Sequence, residues 1–144
     1  MPGEAAHRYE HAGFCPACLA PATFRSDHAW YRDHLLCEHC GSVPRERALA
    51  LVLNERFPNW RDLRIHEASP LDRGISKRLR DRCRRYTPTY FRPDEPRGAM
   101  VLGNRNEDLE AQTFPDASFD VVISLDVMEH LNEPDRCCRE VWRT

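Results

Sequence analysis

The chain has 144 residues, which suits one ordinary domain, or one small and one partial domain. With 41% hydrophobic and 31% charged residues it has the composition of a folded globular chain, and a net charge of −2 gives no global signal for nucleic acid or membrane. No run approaches the roughly 18 apolar residues of a membrane span, and the opening MPGEAAHRYEHAG lacks the apolar core of a signal peptide. A cytoplasmic location is expected, where seven cysteines point to metal or free thiols before disulfides.

Residues 1–13 read as a loose polar leader, with His7 and His11 at helical spacing but no further ligand beside them. Cys15-Pro-Ala-Cys18 and Cys37-Glu-His-Cys40 then form C-x2-C-x18-C-x2-C, within the spacing of a four-thiolate zinc site. Each C-x-x-C makes a tight turn that aims two sulfurs at one point, and two such turns complete a tetrahedron. His39 is an alternative fourth ligand. Four protein ligands leave no open position, so the metal would be structural. Gly41 follows the second pair, where a positive φ is often needed. Thr23-Phe24-Arg25 and Trp30-Tyr31-Arg32 read as short strands around a turn at 26–28, which together make a zinc ribbon. Pro44 to Phe57 reads as a helix capped by Ser42, with Leu49, Val52, Leu53 and Phe57 as its apolar stripe.

Leu63 to Glu67 is a strand candidate, followed by a turn through Gly74 and a helix from about Ile75 to Arg85. A strand, turn and helix in that order can cradle an anionic or nucleotide-like ligand, but a glycine-rich fingerprint is absent. Between Asp72 and Arg92 there are eight Lys or Arg against two Asp. The pattern reads as a solvated helix face with Ile75, Leu79 and Cys83 inward, or as a phosphate-binding face. Thr87 to Phe91 is a second strand candidate, and 99–102 a brief extended piece. Phe119 to Leu125 is apolar and β-branched, the pattern of a strand buried on both faces and central in a parallel sheet. It ends on Asp126, Glu129 and His130, where ligands of such sheets bind. A last helix opens at Asn132 and Pro134, with Cys138, Val141 and Trp142 on one face.

Three segments carry a resemblance to the class I S-adenosylmethionine-dependent methyltransferases: Asn106-Glu-Asp-Leu109 running to Phe114-Pro-Asp-Ala-Ser-Phe-Asp120, then Val121 to Leu131 with its Glu-His-Leu end, then Pro134 to Arg143. With the cysteine pairs and Arg45-Glu-Arg-Ala-Leu49, the chain is similar to bacterial methyltransferases that carry an N-terminal zinc ribbon. The resemblance implies an α/β fold: an incomplete Rossmann-like sheet preceded by a small ribbon. It implies a leader and ribbon over 1–43, a connecting helix over 44–61, and the N-terminal part of the methyltransferase domain over 62–144. It implies S-adenosylmethionine as cofactor, held by Glu67, Ser69 and Gly74 in the first motif and by Asp108 and Leu109 in the acidic loop. In that first motif Ala68-Ser69-Pro70 stands where the family has glycines. Asp126, Glu129 and His130 fall near the transferring methyl, with His130 as the base for an acceptor that must lose a proton.

The family's sheet has seven strands in the order 3-2-1-4-5-7-6, and this chain stops before the fifth. A fragment, a truncated product, or a chain completed by a second copy or partner is therefore expected, with a small-molecule acceptor and no membrane. The rival expectations are a zinc-ribbon module that binds nucleic acid or protein, and a non-catalytic partner of a full methyltransferase.

Overall fold

The computed structural model describes residues 8–144, so His7 lies outside the described residues. The chain forms two compact units, one from Met1–Pro58 with Asp72–Asp81 and one from Asn59–Leu71 with Arg82–Thr144.

The first unit opens with three antiparallel strands in the order β1-β2-β3: β1 Tyr9–Cys15, β2 Ala20–Ser26 and β3 Leu36–Cys37. Residues 9–13 are therefore strand, not leader. Tyr9 pairs with Ser26 and Cys15 with Ala20, and the ladder holds although every β1 side chain before Cys15 is exposed. A strand exposed on both faces has no period-two apolar pattern to read. Trp30 to Arg32 is not a strand either. A helical turn, α1 Tyr31–His34, forms there, and the Trp30 indole N–H donates to the Asp33 carboxylate at 2.8 Å.

Helix α2, Pro44–Arg56, follows the second cysteine pair. Ser42 does not cap it. Val43 is the N-cap, and the Glu46 carboxylate accepts the Val43 N–H at 3.0 Å. The buried stripe is Glu46, Ala50 and Leu53, while Val52 and Phe57 are exposed. The stripe read from the large apolar side chains is thus rotated: one charged residue, neutralised by Arg73, lies inside. Helix α3, Gly74–Arg82, buries Ile75 and Leu79 completely, as their spacing predicted. Burying each is worth about 2 kcal/mol. Two of its outer cations are paired, Lys77 with Asp81 and Arg80 with Asp72.

The second unit is built on a five-stranded sheet in the order β6-β7-β5-β4-β8. Its members are β4 Arg64–Ala68, β5 Arg85–Tyr90, β6 Met100–Val101, β7 Asn104–Asn106 and β8 Val121–Ser124. Four strands run parallel, and β6 adds antiparallel to β7. The chain steps outward from β4 through β5 to β7, then returns to β8 on the other side of β4. Sequence reading missed β7, three polar residues with no β-branched member. It is fixed by Asn106, whose amide donates to the carbonyls of Arg92, Glu95 and Pro96 and accepts the Arg92 N–H.

Strand β8 is at the sheet edge, not its centre, and only Ile123 is fully buried. Its start is clamped to β4: Arg64 grips both oxygens of Asp120 and holds that carboxyl at about 2, well below the usual range. Helix α4, Pro134–Arg143, turns Cys137 and part of Val141 inward, whereas Cys138 is exposed and Trp142 is 92% exposed. Cys137 packs with Ala68 and Leu109, flanked by Val127 and Leu131. No described helix is long and apolar enough to cross a membrane.

Within β4, His66 is fully buried between Phe114 and Phe119, and its Nε2 pairs with the Thr89 hydroxyl at 2.9 Å. Burial pushes its pKa down from 6.5 to about 4. The unfolded chain therefore takes up a proton that the fold refuses, and stability falls as pH drops from about 6.5 to 4. The loss reaches up to about 3 kcal/mol. Urea unfolding at pH 7.0 and 4.5 measures it, and His66→Leu is expected to flatten that part of the profile.

Candidate functional site

Two places in the molecule gather chemistry, one in each unit. In the first, the sulfurs of Cys15, Cys18, Cys37 and Cys40 all lie within 4.8 Å of one another, and all four thiols are free of disulfides. Cys15 and Cys40 are 3.8 Å apart and Cys18 and Cys37 3.9 Å. A tetrahedral zinc with Zn–S bonds of about 2.3 Å has S···S edges of about 3.8 Å, so the donor set fits that ion. His39 is half-exposed and pairs with Glu38, outside the cluster.

The two turns are built alike. The Leu19 N–H donates to the Cys15 carbonyl at 2.8 Å, and the Gly41 N–H to the Cys37 carbonyl at 2.9 Å. Each closing residue is left-handed, Leu19 at φ 54° and Gly41 at φ 66°. Glycine suits this; leucine does not, and nothing in the sequence marked Leu19 as strained. Burial raises the Cys15 thiol, but the Cys18 and Ala17 backbone and the Ser42 hydroxyl outweigh it and bring it down to about 7. Ser42 thus serves the sulfurs, 3.2 Å from Cys40. Burial and the neighbouring thiols push Cys18 and Cys40 up, the crowding that a bound cation relieves.

In the second unit, a cavity of about 320 Å³ opens at the carboxyl ends of the parallel strands. Ser69 follows β4, Phe91 follows β5, Asp108 and Leu109 follow β7, and Asp126 and His130 follow β8. Ligands of open parallel sheets bind at this edge, where the strand order reverses. Ser69 has φ 53° and Asp126 φ 54°, so two non-glycine residues at the rim hold a left-handed backbone. The chain at Ser69 therefore takes a backbone shape that glycine favours, although no glycine is there. Its N–H donates to the Thr89 carbonyl at 2.7 Å, and the Tyr90 hydroxyl donates to the Pro70 carbonyl at 2.8 Å.

Of the residues singled out in the sequence, Ser69, Asp108, Leu109, Asp126 and His130 come together around this cavity. Glu67, Glu129 and Gly74 are not among its lining residues. Glu67 is buried and accepts a hydrogen bond from the Tyr86 hydroxyl at 2.7 Å. Glu129 is exposed in the 3₁₀ turn Met128–His130. Gly74 sits in the other unit, where an added Cβ would come 2.9 Å from the Ser42 Cβ. Glu107 has no exposed side chain and is consumed by Arg105 and the Thr113 N–H, while the Asp108 carboxylate takes the Glu110 N–H. Sequence reading missed Phe91, Val127 and Asn132 on the cavity wall. Their one signal is position, each lying within a few residues of a strand end or the turn after it.

An α/β unit with a parallel-rich sheet and a cavity at its strand ends defines a Rossmann-like ligand-binding class. The family described as Methyltransferase domain matches residues 75–144. Match and sheet together fit a class I methyltransferase, a family whose members in general use S-adenosylmethionine. No curated protein and no solved structure matches the chain.

The left-handed Leu19 yields a direct test. Leu19 is 44% exposed, and Leu19→Asn, which keeps a side chain and tolerates the left-handed region, relieves strain of about 1 kcal/mol, so a higher thermal midpoint is expected. Gly41→Ala, the reverse experiment, is expected to lower it by a similar amount.

Proposed function

We propose that the cavity at the strand ends binds S-adenosylmethionine and serves methyl transfer to a small-molecule acceptor, while the cysteine cluster holds a structural Zn²⁺. The observation that carries this reading is the convergence of Ser69, Asp108, Leu109, Asp126 and His130, from three strand ends, on one cavity, all but Ser69 within the matched residues 75–144. The volume lies within the lower range of small-molecule sites.

The cofactor, when bound, supplies an electrophilic methyl on a sulfonium for in-line displacement. The chain's own residues hold, orient and exclude water. The Asp108 carboxylate keeps one oxygen on the Glu110 N–H and offers the other to a hydroxyl or amino donor. Leu109, Val127 and Leu131 give an apolar wall that excludes water from the reacting centre. His130 is the base for an acceptor that loses a proton, because it brings an imidazole to the cavity lining. Asp126 orients it from the same rim, with Glu129 beside it in the chain as the second carboxylate. The proposal includes a reducing, cytoplasmic compartment, where thiols remain available to a metal.

Calorimetric titration of zinc-loaded protein with S-adenosylmethionine is expected to give saturable binding near one per chain, with one zinc per chain by metal analysis. Asp108→Ala weakens that binding by about tenfold or more, the loss of one charge-assisted hydrogen bond. His130→Ala leaves binding unchanged and lowers labelled-methyl transfer by about 10²-fold or more. A folded, zinc-loaded sample that takes up no S-adenosylmethionine contradicts the reading.

A further inference from the structure

Gln112 takes no part in the cavity at the strand ends. It is only 8% exposed, and neither its side-chain nitrogen nor its side-chain oxygen has a hydrogen-bond partner among the described residues. A buried amide in that state costs the fold stability unless some other group meets it. The residue itself is firmly held. Its backbone N–H donates to the Glu140 carboxylate at 2.8 Å, and its carbonyl accepts from the Arg143 guanidinium at 3.2 Å. Both bonds come from α4, which therefore fixes where the amide sits.

Gln112 lines a second recess, of about 300 Å³, with Arg97, Glu110, Thr113, Arg136 and Arg143 among its other walls. All of these belong to the second unit. The charges there are unevenly committed. Arg143 directs its donors to Glu140, Asp116 and the carbonyls of Phe114 and Gln112, so it and Glu140 neutralise each other. Arg97 gives one hydrogen bond, to the Ala111 carbonyl at 2.8 Å, and Arg136 is exposed. Neither enters an ion pair among the described residues. Against these two cations stands Glu110, whose carboxylate takes the Glu133 N–H. The lining is thus positive, with an amide that still lacks both an acceptor and a donor.

We propose that this recess binds a small carboxylate carrying a hydroxyl or ammonium on the adjacent carbon, that is, an α-hydroxy or α-amino acid. Its carboxylate accepts from the Gln112 amide nitrogen and from Arg97 and Arg136, and its neighbouring donor meets the Gln112 amide oxygen and the Glu110 carboxylate. A bare oxyanion leaves that amide oxygen without a donor. Water leaves the two arginines without an anion. Glu110 also lines the larger cavity, so the two recesses share a wall residue, but binding here needs no cofactor there.

The test titrates lactate, alanine, acetate and inorganic phosphate into isotope-labelled protein of the full chain and follows the Gln112 side-chain amide by nuclear magnetic resonance. Lactate or alanine is expected to shift that signal saturably, with a dissociation constant of about 1 mM or tighter. Acetate, which lacks the second donor, is expected to bind at least about fivefold more weakly. Gln112→Met and Arg136→Gln are each expected to weaken lactate or alanine binding about tenfold, read at the amides of Ala111 and Thr113. Gln112→Met is also expected to keep or raise the thermal midpoint, since it removes an unpartnered buried amide, a result that a purely structural role for Gln112 would reverse. Should that variant fail to fold, Arg136→Gln, a surface change, still decides. No saturable shift with any of the four probes overturns the proposal, as does binding that survives both substitutions. Acetate or phosphate binding as tightly as lactate and alanine overturns the assigned ligand class.

Discussion

Strand β4 is hydrogen-bonded along both edges, to β5 and to β8, and four of its five residues are buried. A strand so placed has no freedom to slip, because a one-residue shift would turn its whole buried set over. It nevertheless carries His66 and Glu67, two groups that resist burial. His66 pairs with Thr89 and Glu67 with Tyr86, both on the neighbouring strand. The ladder thus sets the register of β5 and β8 and brings the three strand ends level. A cavity can open there because the chain steps one way to β5 and β7 and then the other way to β8.

Much of this was legible. The cysteine spacing, α2, α3, β4 and the cavity-lining residues after β8 all follow from local pattern. Residues within a few positions of one another impose those patterns, so sequence reports them well. What was missed depended on distant partners. β1 is polar and exposed, and it is a strand only because β2 supplies its hydrogen bonds. β7 exists because Asn106 ties down the loop before it. The α2 stripe was misplaced because Glu46, a charged residue, is the one that faces inward, kept there by Arg73 from far along the chain. For the site, five residues named from the sequence surround one cavity, whereas Glu67 and Gly74 have structural partners that no local motif could reveal.

The backbone at Ser69 connects these themes. A motif that resembles a glycine-rich turn but lacks the glycines would be expected to lose the turn. Here serine takes the left-handed conformation, and the cost is met by hydrogen bonds from β5. The glycine that is present, Gly74, is committed to the cysteine turns. Close approach of backbone, the usual reason for glycine in such a loop, is thereby used for packing in the first unit.

The cavity beyond β4, β5, β7 and β8 is the proposed seat of a methyl-donor cofactor. Amide chemical-shift mapping with S-adenosylhomocysteine, the demethylated product, tests it most directly. The expected result is a set of saturable shifts concentrated at Ser69, Asp108, Leu109 and Asp126. Shifts confined to residues remote from these four, or none at saturating concentration on a folded, metal-loaded sample, would contradict it.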